Sequence, residues 1–260
     1  MKKICLAALL ALMSACTVNV NNGTAPDGNT MDNNSATNTG DTTPSADPGD
    51  GFDATTGLNE QMTLLLDRRD SKQYPVTKIG DQFWMAQNLA YDVEGSRSFG
   101  LEDPRAGFAY AWTEVMNGAA SSEASPSGVQ GICPAGWHVP SDKEWMVMEQ
   151  ALGMTAEQAN ASGTSEQRGE GFGDRLKASD TWSEGAGNNT TGFNALAVGY
   201  VDGATANVGF SSTFWTSTGR INPNPNISEA WYRSLNSDDS AIERRFGLQG
   251  VRYGVRCVLD

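Results

Sequence analysis

The chain has 260 residues, a formal net charge of −13 at neutral pH and one histidine. The acidic balance excludes nucleic-acid binding, because no basic stripe exists to displace counterions from phosphate. A single imidazole excludes most histidine-based metal sites, although carboxylates can still bind Ca²⁺. With 29 Gly, seven Trp and only 19% charged residues, the composition favours a loop-rich, β-containing domain outside the cytoplasm.

The N-terminus has the features of a secretory signal. Lys2 and Lys3 form a basic start, and the apolar run 4–13 is too short to span a bilayer. The run closes with Met13-Ser14-Ala15-Cys16, which resembles the lipobox of bacterial lipoproteins. The resemblance implies a signal peptide at 1–15 and acyl chains such as palmitate on Cys16, an effectively permanent membrane anchor. The alternative is ordinary signal cleavage beside an incidental cysteine.

Residues 16–57 are rich in Asn, Thr, Gly, Asp, Ser and Pro, and Phe52 is their only aromatic residue. Thr17 stands where an Asp would suggest retention in the inner membrane, so the lipoprotein resemblance favours the outer membrane or cell surface. Six aspartates in this stretch meet no Lys or Arg. Such a segment buries too little apolar surface to offset its ordering entropy, which predicts a disordered acidic tether.

The folded domain is expected over 58–260 and begins with β structure. The stretch 62–66 predicts a short strand. Residues 74–79 and 82–85 flank Gly80-Asp81, and two turn residues between β-rich runs indicate a hairpin. Residues 108–117 predict a strand that passes into a helix.

Residues 133–145 specify local structure more densely than any other stretch. Ser141 followed by Glu144 is a capping box, in which each side chain satisfies a backbone N–H at the start of a helix. We expect the helix to end at Gly153, a residue that adopts the left-handed conformation easily. Three apolar residues spaced three and four apart should face the core. They are Trp145, Met148 and Leu152.

The second half of the chain predicts mostly strands. Residues 155–160 and 174–178 indicate helical turns above Trp182, and five strands follow over 193–200, 213–218, 229–235, 241–248 and 251–259. The last strand alternates as a half-buried strand should. The residues expected inside are Val251, Tyr253, Val255 and Cys257, and those expected outside are Arg252, Gly254 and Arg256.

The chain has four cysteines, of which two belong to the folded domain. Cys5 leaves with the signal and Cys16 carries lipid, so Cys133 and Cys257 should pair in an oxidising compartment. The competing interpretation is a reactive thiol beside His138, the only imidazole.

Four ordered blocks resemble the Fibrobacter succinogenes major paralogous domain, over about 67–260. They are Ile79-Gly80-Asp81-Gln82-Phe83-Trp84-Met85-Ala86-Gln87-Asn88-Leu89, Gly131-Ile132-Cys133-Pro134-Ala135-Gly136-Trp137-His138-Val139-Pro140-Ser141, Phe214-Trp215-Thr216-Ser217-Thr218 and Val255-Arg256-Cys257-Val258. The resemblance implies a surface or secreted lipoprotein, in a family whose function is essentially unassigned.

The second block also resembles the R-L-P-[TS]-x-x-E-W segment of the formylglycine-generating enzyme family. That resemblance implies an α+β, C-type-lectin-like domain with short twisted antiparallel strands and one or two main helices. Its fold also joins a cysteine near a helix to one in the final strand. The activity does not carry over, because this chain lacks a second C-terminal cysteine beside Cys257. We therefore expect a protein that is not an enzyme, and that needs no cofactor.

Two stretches keep a binding function open. Residues 202–228 form a long Gly-, Asn- and Pro-rich region interrupted by Phe210, Phe214 and Trp215, which are alternatively core residues. In lectin-like folds the corresponding region carries the ligand. The turn 236–240 supplies oxygens that could bind Ca²⁺, or serves only as a hairpin turn. The candidate ligand residues are Asn222, Asn224, Asn226, Trp231, Tyr232, Asn236, Asp238 and Asp239, and the calcium candidates are Asn236, Asp238 and Asp239.

These observations favour a lipid-anchored, non-catalytic binding module at the cell surface. Its expected partners are the membrane, through Cys16, and a polysaccharide or other polymer. The alternative is a structural or protein-binding surface component. A relative of the formylglycine-generating oxidases is the third hypothesis.

Overall fold

The structure is a computed structural model that describes residues 50–185 and 187–260. Cys16, the signal peptide and residues 16–49 of the predicted tether lie outside the described residues. Residues 50–57, assigned to the tether from sequence, instead contact the domain. The Asp53 carboxylate accepts the N–H groups of Thr55 and Thr56, and the resulting turn lets the Trp137 indole donate to the Thr56 carbonyl at 2.7 Å. The polar composition of this segment therefore encodes a turn.

Strands outnumber helices in the described part of the chain, which gives a loop-rich mixed fold built mostly of sheet. The strands are β1 (Leu64–Asp67), β2 (Lys72–Ile79), β3 (Gln82–Met85), β4 (Arg97–Ser98), β5 (Phe108–Ala111), β6 (Trp137–His138), β7 (Tyr200–Asp202), β8 (Ala204–Ala206), β9 (Ser211–Arg220), β10 (Glu229–Asn236), β11 (Asp239–Leu248), β12 (Arg252–Tyr253) and β13 (Val258–Leu259). The α-helices are α1 (Trp112–Met116), α2 (Asp142–Ala151), α3 (Ala156–Asn160) and α4 (Ser165–Arg168). Two 3₁₀ turns cover Pro104–Ala106 and Gly173–Arg175.

The strands form three antiparallel sheets. The first has the order β1-β2-β3-β13-β6, the second β11-β10-β9 and the third β4-β5-β12-β7-β8. The β2–β3 hairpin turns at Gly80-Asp81, as the sequence predicts, with Gly80 at a positive φ of 61°. The final strands β12 and β13 each join a different sheet, so the C-terminal stretch connects the first sheet to the third.

Helix α2 packs between the first sheet and the three-stranded sheet. The predicted capping box is present, since Ser141 accepts the Glu144 N–H and Glu144 accepts the Ser141 N–H. The predicted stripe is buried. Its Trp145 ring lies 5.0 Å from the Trp84 ring and 5.7 Å from the Phe214 ring, centroid to centroid. The Cys133–Cys257 disulfide, also predicted, joins the approach to α2 to the segment before β13.

Two of the predicted strands are wrong. Residues 193–199 are a buried extended segment in which Asn194 adopts a positive φ of 55°, so regular pairing starts only at Tyr200. The expected strand 251–259 is broken between β12 and β13. Arg256, expected outside, is buried because its guanidinium donates to the Asn88 side chain and to backbone carbonyls, among them that of Phe193.

Candidate functional site

The three-stranded sheet presents two faces that differ in chemistry. Successive side chains of a strand point to opposite sides. On β10, Trp231, Arg233 and Leu235 point towards α2, whereas Tyr232, Ser234 and Asn236 point the other way. The second face carries the groove, which we define as the three adjoining recesses described next.

The first recess, of about 380 Å³, lies where β7 and β12 meet the sheet. Three tyrosines form its aromatic end. The Tyr253 ring lies 4.9 Å from the Tyr232 ring and 6.2 Å from the Tyr200 ring. Burial raises the pKa of the Tyr232 and Tyr253 phenols, so both stay protonated and can donate hydrogen bonds. Asp202 lines the same recess and carries an exposed carboxylate.

The middle recess, of about 520 Å³, shares Asn207, Ser211, Asn236 and Arg245 with the first. Phe210 lines it, and this ring is 51% exposed. The Ser211 hydroxyl is buried but has no hydrogen-bond partner among the described residues. A buried hydroxyl without a partner costs free energy, so a ligand group that bonds to it would recover that cost.

The third recess, of about 580 Å³, lies beside α4 and the turn between β10 and β11. Lys177 is buried in its wall and donates to the Asp174 carboxylate at 3.0 Å and to the Asp239 carbonyl at 2.7 Å. Glu243 lines all three recesses, which makes them one groove. The Glu243 carboxylate is held by Arg245 at 2.7 Å.

The opposite face of the same sheet is closed by a buried ion network. Arg233 donates to Asp142 at 2.6 Å and to Glu149 at 2.5 Å. Arg244 pairs with Asp142 at 2.7 Å, and Arg168 pairs with Glu149 at 2.6 Å. Burial alone would raise the pKa of Asp142, but the charges and hydrogen bonds of Arg233 and Arg244 lower it. Asp142 therefore stays ionised, and the network fastens α2 to the sheet.

The only histidine of the chain is held between two carboxylates. His138 Nε2 lies 2.7 Å from a Glu144 oxygen, and Nδ1 lies 2.7 Å from an Asp260 oxygen. Burial lowers the pKa of His138, but the two carboxylates outweigh it and the net shift is upward. With both ring nitrogens held by carboxylates, the imidazole has a structural role.

The structure brings together some of the predicted ligand residues and separates others. Tyr232, Asn236, Asp238 and Asp239 line the groove. Trp231 lies on the opposite face, where its ring packs against Arg244 at 3.9 Å.

The three predicted asparagines of the 222–226 loop lie in the turn between β9 and β10, at the opposite end of β10 from Asn236. Asn222 donates to Glu229 at 2.7 Å, and its oxygen accepts the Asn224 N–H at 2.8 Å. The oxygen of Asn224 in turn accepts the Asn226 N–H at 3.0 Å. The side chains of Asn222 and Asn224 therefore serve the turn itself.

Of the calcium candidates, Asp239 has both carboxylate oxygens engaged by the protein. The two Asp239 carboxylate oxygens accept the N–H groups of Ala241 and Ser165. Within the described residues, no group of three or more His, Cys, Asp or Glu side chains is placed to hold a metal ion.

Sequence reasoning missed most of the groove. Tyr200, Ser211, Glu243, Arg245 and Tyr253 come from four different strands, and only their pairing brings them to one face. The one available signal was the alternation of β10, which places Tyr232 and Asn236 on the same side. Phe214 and Trp215, by contrast, are buried core residues, as the alternative interpretation held.

The described part of the chain is a domain of antiparallel sheets with one main helix, a disulfide and a polar groove. Residues 77–259 match the Fibrobacter succinogenes major domain, so the chain belongs to that family. No curated protein and no solved structure matches the chain. Among residues 50–185 and 187–260, no helix is long and apolar enough to cross a membrane.

Proposed function

We propose that this domain is a non-catalytic binding module that takes a glycan or a related polymer in the groove. The observation that carries the proposal is Phe210, a half-exposed aromatic ring beside polar groups. Sugar rings combine an apolar face, which stacks on aromatic rings, with a rim of hydroxyls that need hydrogen bonds. Asn207 and Asn236 offer both donors and acceptors for such hydroxyls.

The pairing of the potentially reactive side chains, inside and outside the groove, supports binding rather than catalysis. The His138 ring nitrogens are both occupied, and Cys133 and Cys257 are paired, so neither supplies a base or a nucleophile. Glu243, the carboxylate common to all three recesses, is paired with Arg245.

We further propose that the domain has a C-type-lectin-like fold. The disulfide between the approach to α2 and the last strand supports this, as does the single main helix against short antiparallel strands. In such folds a rigid framework carries variable loops on which binding residues concentrate. The groove lies beside one such connection, 237–238.

We propose that Cys16 anchors the protein to the outer membrane or cell surface through lipid. The test is cell fractionation of the wild type and Cys16→Ser, together with mass spectrometry of the N-terminal peptide. Lipid mass on the wild-type peptide and release of the variant from membranes are expected. A variant that stays with membranes, while the wild-type N-terminal peptide shows no lipid mass, contradicts the anchor.

The groove is tested with two adjacent serines. Ser211 lines the groove and Ser212 does not, yet both hydroxyls are buried without a partner in the described part of the chain. Neither Ser→Ala change should lower the melting temperature, because neither removes a hydrogen bond within the protein. Once a polysaccharide panel gives a ligand, Ser211→Ala should weaken its binding about two- to tenfold, the range of one hydrogen bond. Ser212→Ala should not.

Phe210→Ala provides the second groove variant and should weaken binding further, by loss of stacking, without loss of stability. Saturable binding to some panel member that survives Phe210→Ala and Ser211→Ala unchanged would falsify the placement of the site in the groove. No saturable binding to any polysaccharide would contradict the glycan function itself.

A second candidate function, a protein-binding surface component, is favoured by one observation. At the far end of the three-stranded sheet, apolar side chains stand in solvent, with Ile221 95% and Leu248 55% exposed. Exposed apolar groups of this size mark contact sites when they cluster. Capture of a specific surface protein that is lost on Ile221→Ser with Leu248→Ser, but retained in Phe210→Ala, would favour this function.

A further inference from the structure

We propose that the groove selects an amine-bearing polysaccharide, whose protonated amino groups repeat along the polymer. This inference rests on the proposed function and names the class of glycan. It starts from the charge of the groove. Seven carboxylates line the three recesses against two cations. The carboxylates are Glu170, Asp174, Glu184, Asp202, Asp238, Asp239 and Glu243, and the cations are Lys177 and Arg245.

Both cations are already neutralised by the protein. Lys177 pairs with Asp174 at 3.0 Å, and Arg245 pairs with Glu243 at 2.7 Å. Four exposed carboxylates have no ion-pair partner in the described part of the chain, and they are distributed over all three recesses. They are Glu170, Glu184, Asp202 and Asp238. Their potential attracts cations and repels polymers that carry uronates or phosphates.

The distribution of these carboxylates favours a polymer over a metal ion. A bound Ca²⁺ needs six to eight oxygens around one point, whereas the four unpaired carboxylates are spread over three recesses, and the described residues contain no group of three or more His, Cys, Asp or Glu side chains that could hold a metal ion. Charges spread along a groove match charges spread along a chain. The middle recess adds a feature other than charge, the partnerless Ser211 hydroxyl, which a polar ligand group that reaches it would satisfy.

The sheet beneath the groove favours a saccharide over a basic peptide. β10 is the central strand, with hydrogen bonds to β9 on one side and β11 on the other. A peptide lying over β10 therefore could not add to it by backbone pairing, and only the outer edges of β9 and β11 are placed for such pairing. The Phe210 ring and the tyrosine end instead provide faces for sugar rings.

The test uses three hexasaccharides with the same β-1,4-linked backbone, built from glucosamine, N-acetylglucosamine and glucose. They differ at C2, which carries an amine, an acetamide or a hydroxyl. Titration calorimetry with the full-length protein, at a pH where the amine is protonated, should show the tightest binding for the glucosamine hexamer. That preference should shrink as salt is added, because salt screens exposed charges.

The variant that tests charge selection is Glu170→Gln with Asp238→Asn. It should lose about three- to tenfold in affinity for the glucosamine hexamer, as for two exposed ion pairs, and clearly less for the uncharged glucose hexamer. The matched control is Glu60→Gln with Glu123→Gln, which neutralises two exposed carboxylates outside the groove and should change neither affinity.

Each outcome separates this inference from the proposed function. Equal affinity for the three hexamers, or a glucosamine hexamer that does not bind while another glycan does, overturns the amine selection and leaves glycan binding intact. A lysine hexapeptide that binds as tightly as the glucosamine hexamer overturns the assignment to a saccharide. Absence of binding to every saccharide, with the protein folded, overturns the proposed function and the inference together.

Discussion

The two faces of the three-stranded sheet are built from the same strands but treat their charged side chains differently. On the α2 face, Arg233 is fully buried and shared by Asp142 and Glu149. On the groove face, one strand away, Arg245 is 46% exposed in its side chain and pairs with Glu243. One face satisfies its charges internally, and the other leaves several carboxylates open to solvent.

This difference predicts which residues govern stability and where a ligand would bind. A buried charge must be paired, because an unpaired one costs several kcal/mol. An exposed carboxylate in a groove is not required for folding, and its neighbours of the same sign oppose folding slightly. Residues on the α2 face should therefore govern stability, and residues on the groove face should govern affinity.

The largest expected loss of stability comes from disrupting the buried ion network on the α2 face. Arg233→Ala leaves Asp142 and Glu149 with fewer partners in a buried site, and we expect a loss of about 3–5 kcal/mol in the free energy of unfolding. The measurement is urea unfolding followed by tryptophan fluorescence. Arg245→Ala is the comparison on the groove face and should cost less, because the Arg245 side chain is 46% exposed and water can replace part of its pairing with the largely buried Glu243. Equal losses in the two variants would contradict the division between the faces.

Removal of the disulfide should have the next largest effect. Cys133→Ser with Cys257→Ser frees the approach to α2 from the segment before β13, and we expect a loss of about 2–4 kcal/mol. The affinity of the folded protein for its groove ligand should not change, because neither cysteine lines the groove. Urea unfolding and ligand titration test the two statements separately. A large change in affinity would show that the two faces are coupled.

The sequence predicted helix α2 and its attachment to the domain well, but it predicted the groove poorly. The capping box at Ser141, the apolar stripe of α2 and the disulfide all follow from local patterns or from the pairing of two cysteines. A capping box acts over three residues, so a single stretch of sequence contains all of it. The predicted role of Glu144 was nevertheless incomplete. Its contact with His138 depends on the tertiary structure, which the capping-box pattern does not indicate.

The groove depends on contacts between residues distant in sequence. Tyr200 and Tyr253 face each other only because β7 and β12 are neighbours in the third sheet. The same limit explains Arg256, which alternation placed outside. Its buried position is set by carbonyls from Met85 and Phe193, and no pattern around residue 256 indicates them.

His138, which contacts Glu144 of α2, should make the free energy of unfolding depend on pH. The pKa of His138 is raised in the folded protein, so the stabilisation from its imidazolium is fully present below the unfolded value of about 6.5. It should be lost as the pH rises through the folded pKa.

The measurement is the urea midpoint against pH from about 6 to 9, a range that brackets the unfolded value. His138→Gln can still donate a hydrogen bond but does not titrate, so its stability should be flatter with pH. A wild type whose stability rises over this interval, or a variant with the same slope as the wild type, contradicts the assignment.

The smallest effect should come from the groove itself, and its sign is informative. Glu184 and Asp238 line the middle recess and have no ion-pair partner in the described part of the chain. Replacing them with Gln and Asn removes like-charge repulsion in a strongly acidic protein, so the variant should be unchanged or more stable, by up to about 0.5 kcal/mol. The gain should fade in high salt, because screening already weakens the repulsion. Glu60→Gln with Glu123→Gln provides a comparison at exposed sites outside the groove. If the double substitution in the groove instead destabilises the protein by more than about 1 kcal/mol, these carboxylates stabilise the fold. That result would contradict the proposal that they are available to a ligand.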